Sequence, residues 1–171
     1  RHLLTHMRSP HLVGLDSMNY WIKHKRKTLI RLLKKVNIYV ANDQEARDLS
    51  GESNLIRAAR CLRSLGPEMI LIKKGEHGVI LHSDRFTFSL PAYPTDKVID
   101  PTGAGDTFAG GFMGYLTRVR RIDPASLKKA VVYGTIVASF NVEDFGLNKT
   151  SRLKIKHLEK RLADFKKFVS F

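Results

Sequence analysis

The chain has one cysteine in 171 residues, Cys61, so an internal disulfide is excluded. A reducing, cytoplasmic setting is the expectation from that usage. Cys61 lies in an apolar-periodic stretch and reads as a buried or half-buried structural thiol. No apolar run approaches the roughly 20 residues that span a bilayer, and no secretory leader is visible, so no membrane association is expected. Acidic residues are scarce, 16 against 30 Lys and Arg, for a net charge of +14. Lys23–Lys27, Arg118–Arg121 and the stretch Lys149–Lys167 hold much of the excess. Such a balance favours anionic ligands. Aromatics are not interleaved with the basic runs as base-stacking would need, so a nucleic-acid partner is not expected and most of these charges read as solvated helix faces. No repeat or Pro/Gly/Ser-rich linker divides the chain, and 171 residues suit one domain spanning 1–171.

Hydrophobic periodicity orders the elements. His11–Asp16 reads as a buried strand ending at a carboxylate, Ile22–Val36 as a helix with a basic outer face, and Asn37–Asn42 as a second strand. Helices are expected over Asp43–Ser50, stopped by Gly51, and along Leu55, Ala58, Leu62 and Leu65, stopped by Gly66-Pro67. Met69–Lys74 is a nearly unbroken apolar strand of the parallel-sheet kind. Val79–Ser83 and Phe86–Ala92 read as strands about a polar turn, followed by helices over about Gly105–Thr117, from Pro124 toward Val142, and through Leu158, Leu162, Phe165 and Val169. Strands alternating with helices predict an α/β fold, a three-layer α/β/α arrangement on a mostly parallel sheet. Ligands of such sheets bind beyond the carboxyl ends of the strands.

The densest chemistry is the heptapeptide Asp100-Pro101-Thr102-Gly103-Ala104-Gly105-Asp106, which opens an apolar, glycine-dotted helix. Gly103, Ala104 and Gly105 let backbone N–H groups crowd an anion at a helix N-terminus, the end that favours negative charge. Asp106 stands in the first turn beside them. An anion cradle next to a carboxylate suits phosphoryl transfer, with the amides stabilising phosphate oxygens and the carboxylate taking a proton from the attacking hydroxyl. The same Asp also suits a helix start through the dipole alone. Gly110, Gly111 and Gly114 each cost a helix about 1 kcal/mol relative to Ala, and close packing of that helix on a sheet is the expected compensation.

These residues, with Phe108 and the small residues after it, resemble the C-terminal signature of the ribokinase-like, or PfkB-type, carbohydrate kinases. One departure is Pro101, where that family often has Thr. The resemblance runs nearly end to end through this chain but covers only the C-terminal part of the family fold, so the fold is expected to be incomplete at its N-terminal side. It implies ATP-dependent phosphoryl transfer to a hydroxyl of a sugar, nucleoside or similar alcohol, with Mg²⁺. It implies Asp106 as the base and the Gly103–Gly105 amides as the anion hole. It also implies a monovalent-cation (K⁺) site to which Asp100 and Thr102 contribute, although Asp100 reads equally well as a turn residue.

Further segments match in order. Lys73-Lys74-Gly75-Glu76-His77-Gly78 resembles the family's strand-end loop over the nucleotide phosphates, with Lys73 facing a phosphate and Gly75 and Gly78 allowing close backbone approach; alone it would be an ordinary turn. Asn42-Asp43-Gln44-Glu45 matches the family's Asn-x-x-Glu, which helps to hold Mg²⁺ and phosphates, and it is equally a capping box. Asp16-Ser17-Met18-Asn19-Tyr20-Trp21 resembles a segment near the phosphate site, or is a turn anchored by Trp21. Thr135 aligns with a position near the adenine and Gly146 with the glycine after that helix. The alternative to an active kinase is a truncated, non-catalytic nucleotide-binding fragment. An uncovered sheet edge is expected in either case, and with it self-pairing into a homodimer.

Overall fold

The computed structural model describes His6 and residues 10–170. Five strands form one sheet in the order of the chain: β1 (Gly14–Asp16), β2 (Ile38–Asn42), β3 (Met69–Lys73), β4 (Val79–Ser83) and β5 (Thr87–Leu90). The first three pair in parallel, with Asp16 opposite Val40 and Asn42 opposite Lys73. The connections from β3 to β4 and from β4 to β5 are too short for a parallel crossover, which takes a dozen residues or more. These strands therefore reverse direction, and the sheet is mixed. Among the described residues β1 is an edge, with Gly14 and Asp16 exposed.

The described residues divide into two compact units, the first comprising those up to Lys74 together with Ile80–Phe88, the second Gly75–Val79 and Ser89 onward. In the first, Tyr39, Ala41, Ile70, Ile72 and Ile80 of the strands pack with Leu29, Leu33, Ala46, Leu49, Ala59 and Leu62 of the helices into one apolar cluster. Ile38, Leu71 and Leu81, which alternate with them along the strands, are also fully buried. Both sets of positions are apolar, as the continuous hydrophobic runs required.

The expected helix Ile22–Val36 is two helices, α1 (Asn19–His24) and α2 (Arg26–Leu33), parted at Lys25 with φ −133° and ψ 29°. Five consecutive basic residues, Lys23–Lys27, would stack like charges at i,i+3 and i,i+4 in an unbroken helix. The break also frees Arg26 from the solvated face expected of it. Its guanidinium donates to the carbonyls of Asp48 and Leu49, at 3.0 and 2.6 Å, at the C-terminal end of α3 (Asp43–Ser50), where a cation is favoured. Helix α4 (Leu55–Ser64) follows, capped by Asn54. Cys61 is half-buried, its thiol toward the Ser50 carbonyl.

The second unit is built on α5 (Ala104–Val119), α6 (Pro124–Asn141) and α7 (Ile155–Val169). The glycines of α5 are accounted for differently from the expectation. The close approach is to another helix: a methyl built on Gly111 would lie 3.1 Å from Gly134 Cα of α6, and one on Gly134 would lie 2.9 Å from the Phe108 carbonyl oxygen. Gly110 and Gly114 meet nothing within 4 Å. Tyr115 and Tyr133 stack beside this crossing, their ring centroids 4.7 Å apart.

Helix α7 is tied down by Arg161. Its guanidinium lies 3.4 Å from the centre of the Phe140 ring and 4.9 Å from that of Tyr93, and it bonds Glu143 at 2.9 Å. Lys149 also pairs with Glu143, which is buried. Burial pushes the Glu143 carboxyl up, but its bonds to Arg161 and Lys149 more than offset this and hold it below the usual glutamate range.

Two outcomes follow from these contacts. Gly134→Val overfills the helix crossing and is expected to destabilise by about 1–3 kcal/mol in urea unfolding. Arg161→Ala leaves a buried carboxylate with only the Lys149 ammonium and the Thr95 hydroxyl as partners and should cost about 3–5 kcal/mol near neutral pH. Because the folded-state value of Glu143 is depressed, its contribution is present above the unfolded glutamate range and is lost as pH falls through the folded value. Unfolding curves across acid pH should therefore show the wild type and Arg161→Ala converging; a constant gap would contradict this role for Glu143.

Candidate active site

In the first unit the parallel strands deliver polar side chains to their carboxyl ends. Asp16 ends β1, Asn42 ends β2 and Lys73 ends β3. The Lys73 ammonium donates to Asp16 Oδ2 at 2.7 Å. Asn42 caps α3: its Oδ1 accepts from the Glu45 N–H at 2.7 Å, and Glu45 Oε2 accepts from the Asn42 N–H at 2.9 Å. The capping box expected from the sequence is present. Glu45 is nevertheless 6% exposed. Burial pushes its carboxyl up, the Asn42 bond pulls it down, the Asp16 charge raises it and Lys73 lowers it. Behind these groups the Tyr39 hydroxyl bonds Ser17 Oγ at 2.6 Å, and burial pushes the phenol to about 12. The first unit thus brings together Asp16, Asn42, Glu45 and Lys73. Asp16, read from the sequence as a strand-end carboxylate in a segment resembling one near the phosphate site, joins this cluster; Trp21 of the same segment lies in α1 and is half exposed.

In the second unit Gly103 is the N-cap of α5 in the left-handed region, at φ 80°. The Thr102 N–H donates to Asp100 Oδ1 at 2.9 Å, which holds the Asp100 carboxyl below its ordinary value. The Ala104 N–H donates to the Pro101 carbonyl at 3.1 Å and the Thr107 N–H to that of Gly103 at 2.8 Å. Among the described residues the amides of Gly103, Gly105 and Asp106 carry no backbone bond. The Ala104 amide is therefore engaged in closing the turn, and the open donors are those of Gly103, Gly105 and Asp106. The Asp106 side chain is exposed at their edge.

Asn141, at the end of α6, was not anticipated. Its Nδ2 donates to the Gly146 carbonyl at 2.9 Å, while its Oδ1 is buried without a hydrogen-bond partner. A methyl built on Gly103 would sit 3.6 Å from that oxygen. The Val142 carbonyl accepts from the N–H groups of Ile99, at 2.7 Å, and Asp100, at 3.2 Å. Asp100, Gly103, Asn141 and Gly146 are thus one neighbourhood, with Gly146 at φ 54°. Thr135 is buried within α6, six residues before Asn141.

The two loop glycines differ. Gly75, at φ 57°, opens a single 3₁₀ turn (Gly75–His77) and has nothing within 4 Å of a built methyl. Gly78, at φ 86°, leaves only 2.0 Å between such a methyl and the Leu90 carbonyl oxygen. Backbone packing alone requires glycine at 78, whereas Gly75 faces open space.

For Mg²⁺ the donor chemistry fits. Asn42 and Glu45 offer oxygen ligands, and this ion is commonly held by one or two carboxylates, phosphates and water. Among the described residues no cluster of three or more His, Cys, Asp or Glu could hold a metal without such help. For a monovalent cation, the orphaned Asn141 Oδ1, 3.6 Å from a methyl built on Gly103, is an oxygen in want of a partner.

The pfkB family of carbohydrate kinases matches residues 12–153. The cytidine kinase of Thermococcus kodakarensis is 36% identical over 102 residues, 58% of this chain and 36% of that protein. Among solved structures, the aminoimidazole riboside kinase of Salmonella enterica, complexed with its riboside and an ATP analogue, superposes with a TM-score of 0.77 at 27% identity, over 89% of this chain and 52% of the enzyme. An Escherichia coli protein assigned as a ribokinase II, solved with ATP and Mg²⁺, matches with a TM-score of 0.70 at 25% identity, covering 85% of this chain and 45% of its own. The fold is ribokinase-like. The chain spans about a third to a half of the length of these relatives. No helix among the described residues is long and apolar enough to cross a membrane.

The capping and metal readings of Glu45 separate by substitution. Glu45→Gln keeps an acceptor suited to the capping box and should change stability by no more than about 0.5 kcal/mol. Glu45→Ala should cost about 1 kcal/mol. If both variants leave Mg²⁺-dependent nucleotide affinity unchanged in calorimetry, Glu45 is a cap alone.

Proposed function

The chain belongs to the pfkB family of carbohydrate kinases, and from that premise we propose that residues 1–171 form the C-terminal, nucleotide-binding and catalytic part of a kinase that transfers the γ-phosphoryl group of ATP to a hydroxyl of a sugar or nucleoside. The observation that carries this reading is the turn at 101–104, which leaves the amides of Gly103, Gly105 and Asp106 without partners beside a free carboxylate. In the proposed step the substrate oxygen attacks the γ-phosphorus, a new O–P bond forms, the bond to the β-phosphate oxygen breaks and ADP departs. The proton of the attacking hydroxyl passes to the Asp106 carboxylate. The open amides meet the charge that gathers on the transferring oxygens, with no reorganisation at the moment of reaction.

Lys73 and the Gly75 turn serve the phosphates, Lys73 exchanging Asp16 for a phosphate oxygen. Glu45 and Asn42, partly through water, would hold Mg²⁺, whose charge neutralises that of the phosphates. Asp100 and Thr102, with Asn141 Oδ1, would hold a potassium-like ion that shields the turn. Phe145 and Leu147, 64% and 71% exposed, flank Gly146 and offer apolar surface to a base, while Thr135 lies further along the same helix. The riboside, nucleoside and ribose kinases among the relatives favour a ribose-bearing or pentose acceptor. A second reading is nucleotide binding without turnover.

The test is phosphate transfer from ATP to a panel of nucleosides and pentoses, with nucleotide affinity measured in parallel. Asp106→Asn should lower kcat by about 10²–10⁴-fold with ATP affinity retained. Near-normal turnover by that variant would remove Asp106 from the mechanism, and ATP binding with no transfer to any acceptor would select the second reading.

A further inference from the structure

A second concave site lies at the far end of β3 and β4. Strand β4 runs back from the Lys73 end, so Ser83 and the turn to β5 sit one strand length, roughly 15 Å, from the strand-end cluster of Asp16, Asn42 and Lys73. There the C-terminal end of α4 and the β4–β5 hairpin border an open pocket of about 500 Å³ lined by Arg60, Arg63, His82, Asp84, Arg85 and Thr87.

The lining is cationic and built. Asp84, its one acid, pairs with Arg63. Arg60 and Arg85 are exposed at the rim. His82 is buried, 8% exposed, and its Nδ1 is bonded to Thr87 Oγ1 at 2.7 Å. The hairpin is fixed by the Ser83 N–H to the Phe86 carbonyl and by the Ser83 hydroxyl on both backbone groups of Phe86. Three guanidinium forks and one carboxylate leave a net charge that two or more phosphate oxygens would neutralise, and guanidinium geometry matches phosphate. Burial, then Arg60 and Arg63, push the His82 imidazole below its ordinary value, with Asp84 opposing them weakly. A bound polyanion reverses the sign of that field.

We propose that the pocket between α4 and the β4–β5 hairpin is an anion site for a di- or triphosphate group, at the opposite end of the strands from Asp16, Asn42 and Lys73 and independent of the role proposed for Asp106.

The test uses the whole chain and inorganic tripolyphosphate. Calorimetry should detect binding, and the His82 ring resonances should report a rise in its pKa on addition, so that binding takes up a proton near neutral pH. Arg60→Ser with Arg85→Ser, both at exposed positions, should weaken the His82-reported binding on the order of tenfold or more and leave the unfolding curve within about 0.5 kcal/mol of the wild type. Tripolyphosphate that binds without moving His82 has gone elsewhere and overturns the proposal. An unchanged affinity in the double variant overturns it, as does binding of mixed-sequence duplex DNA through these arginines with none of tripolyphosphate. Asp106→Asn, which bears on the proposed transfer step, should leave the His82 response intact.

Discussion

A single backbone hydrogen bond, from the Ala104 amide to the Pro101 carbonyl, sets the character of the second unit. It closes a turn that only a left-handed residue can complete, and Gly103 supplies it. Closing the turn takes one amide and exposes three. A helix that began with all its first-turn donors capped by side chains would be better satisfied but could receive nothing. Here α5 has no side-chain cap, so its first-turn donors and the positive end of its dipole stay open. The Asp100 side chain stiffens the same turn through Thr102, and the Val142 carbonyl holds the segment leading into it.

The first unit solves a related problem by different means. Parallel strands end where their backbone groups need partners, and the side chains there are Asp16, Asn42 and Lys73. Each has a partner already, Asp16 and Lys73 in each other and Asn42 in the α3 amides. Glu45 is drawn under them by the reciprocal cap. A cluster satisfied in this way holds its geometry through its own side chains.

Much of this was legible in the chain itself. The strands β2 and β3, the helices α3 and α6 and the start of α5 follow from apolar runs, from the capping box at Asn42, from Pro124 and from the glycines at 103 and 105, because local chemistry and tertiary packing ask for the same residues there. The break at Lys25 was hidden by the apolar stripe from Ile22 to Val36, which survives on one face whether the helix is whole or divided. The role of Gly78 was ambiguous, because a glycine demanded by Leu90 looks the same in sequence as one demanded by a ligand. Asn141 could not be singled out, since nothing in the sequence near it says that its oxygen will be buried against Gly103. The pocket at Arg60, Arg63 and Arg85 was likewise invisible, because a helix end and a hairpin 20 residues apart had first to be brought together by the sheet.

The grip of Arg161 on Glu143 also bears on how the chain is made. Glu143 leaves the ribosome 18 residues ahead of its guanidinium partner. Throughout that interval the segment from Asn141 to Gly146 has a carboxylate that favours water over burial. Domains tend to settle from the amino-terminal side as synthesis proceeds. The strand-end cluster of the first unit can therefore form early, whereas Glu143 meets its Arg161 partner only once α7 has been made.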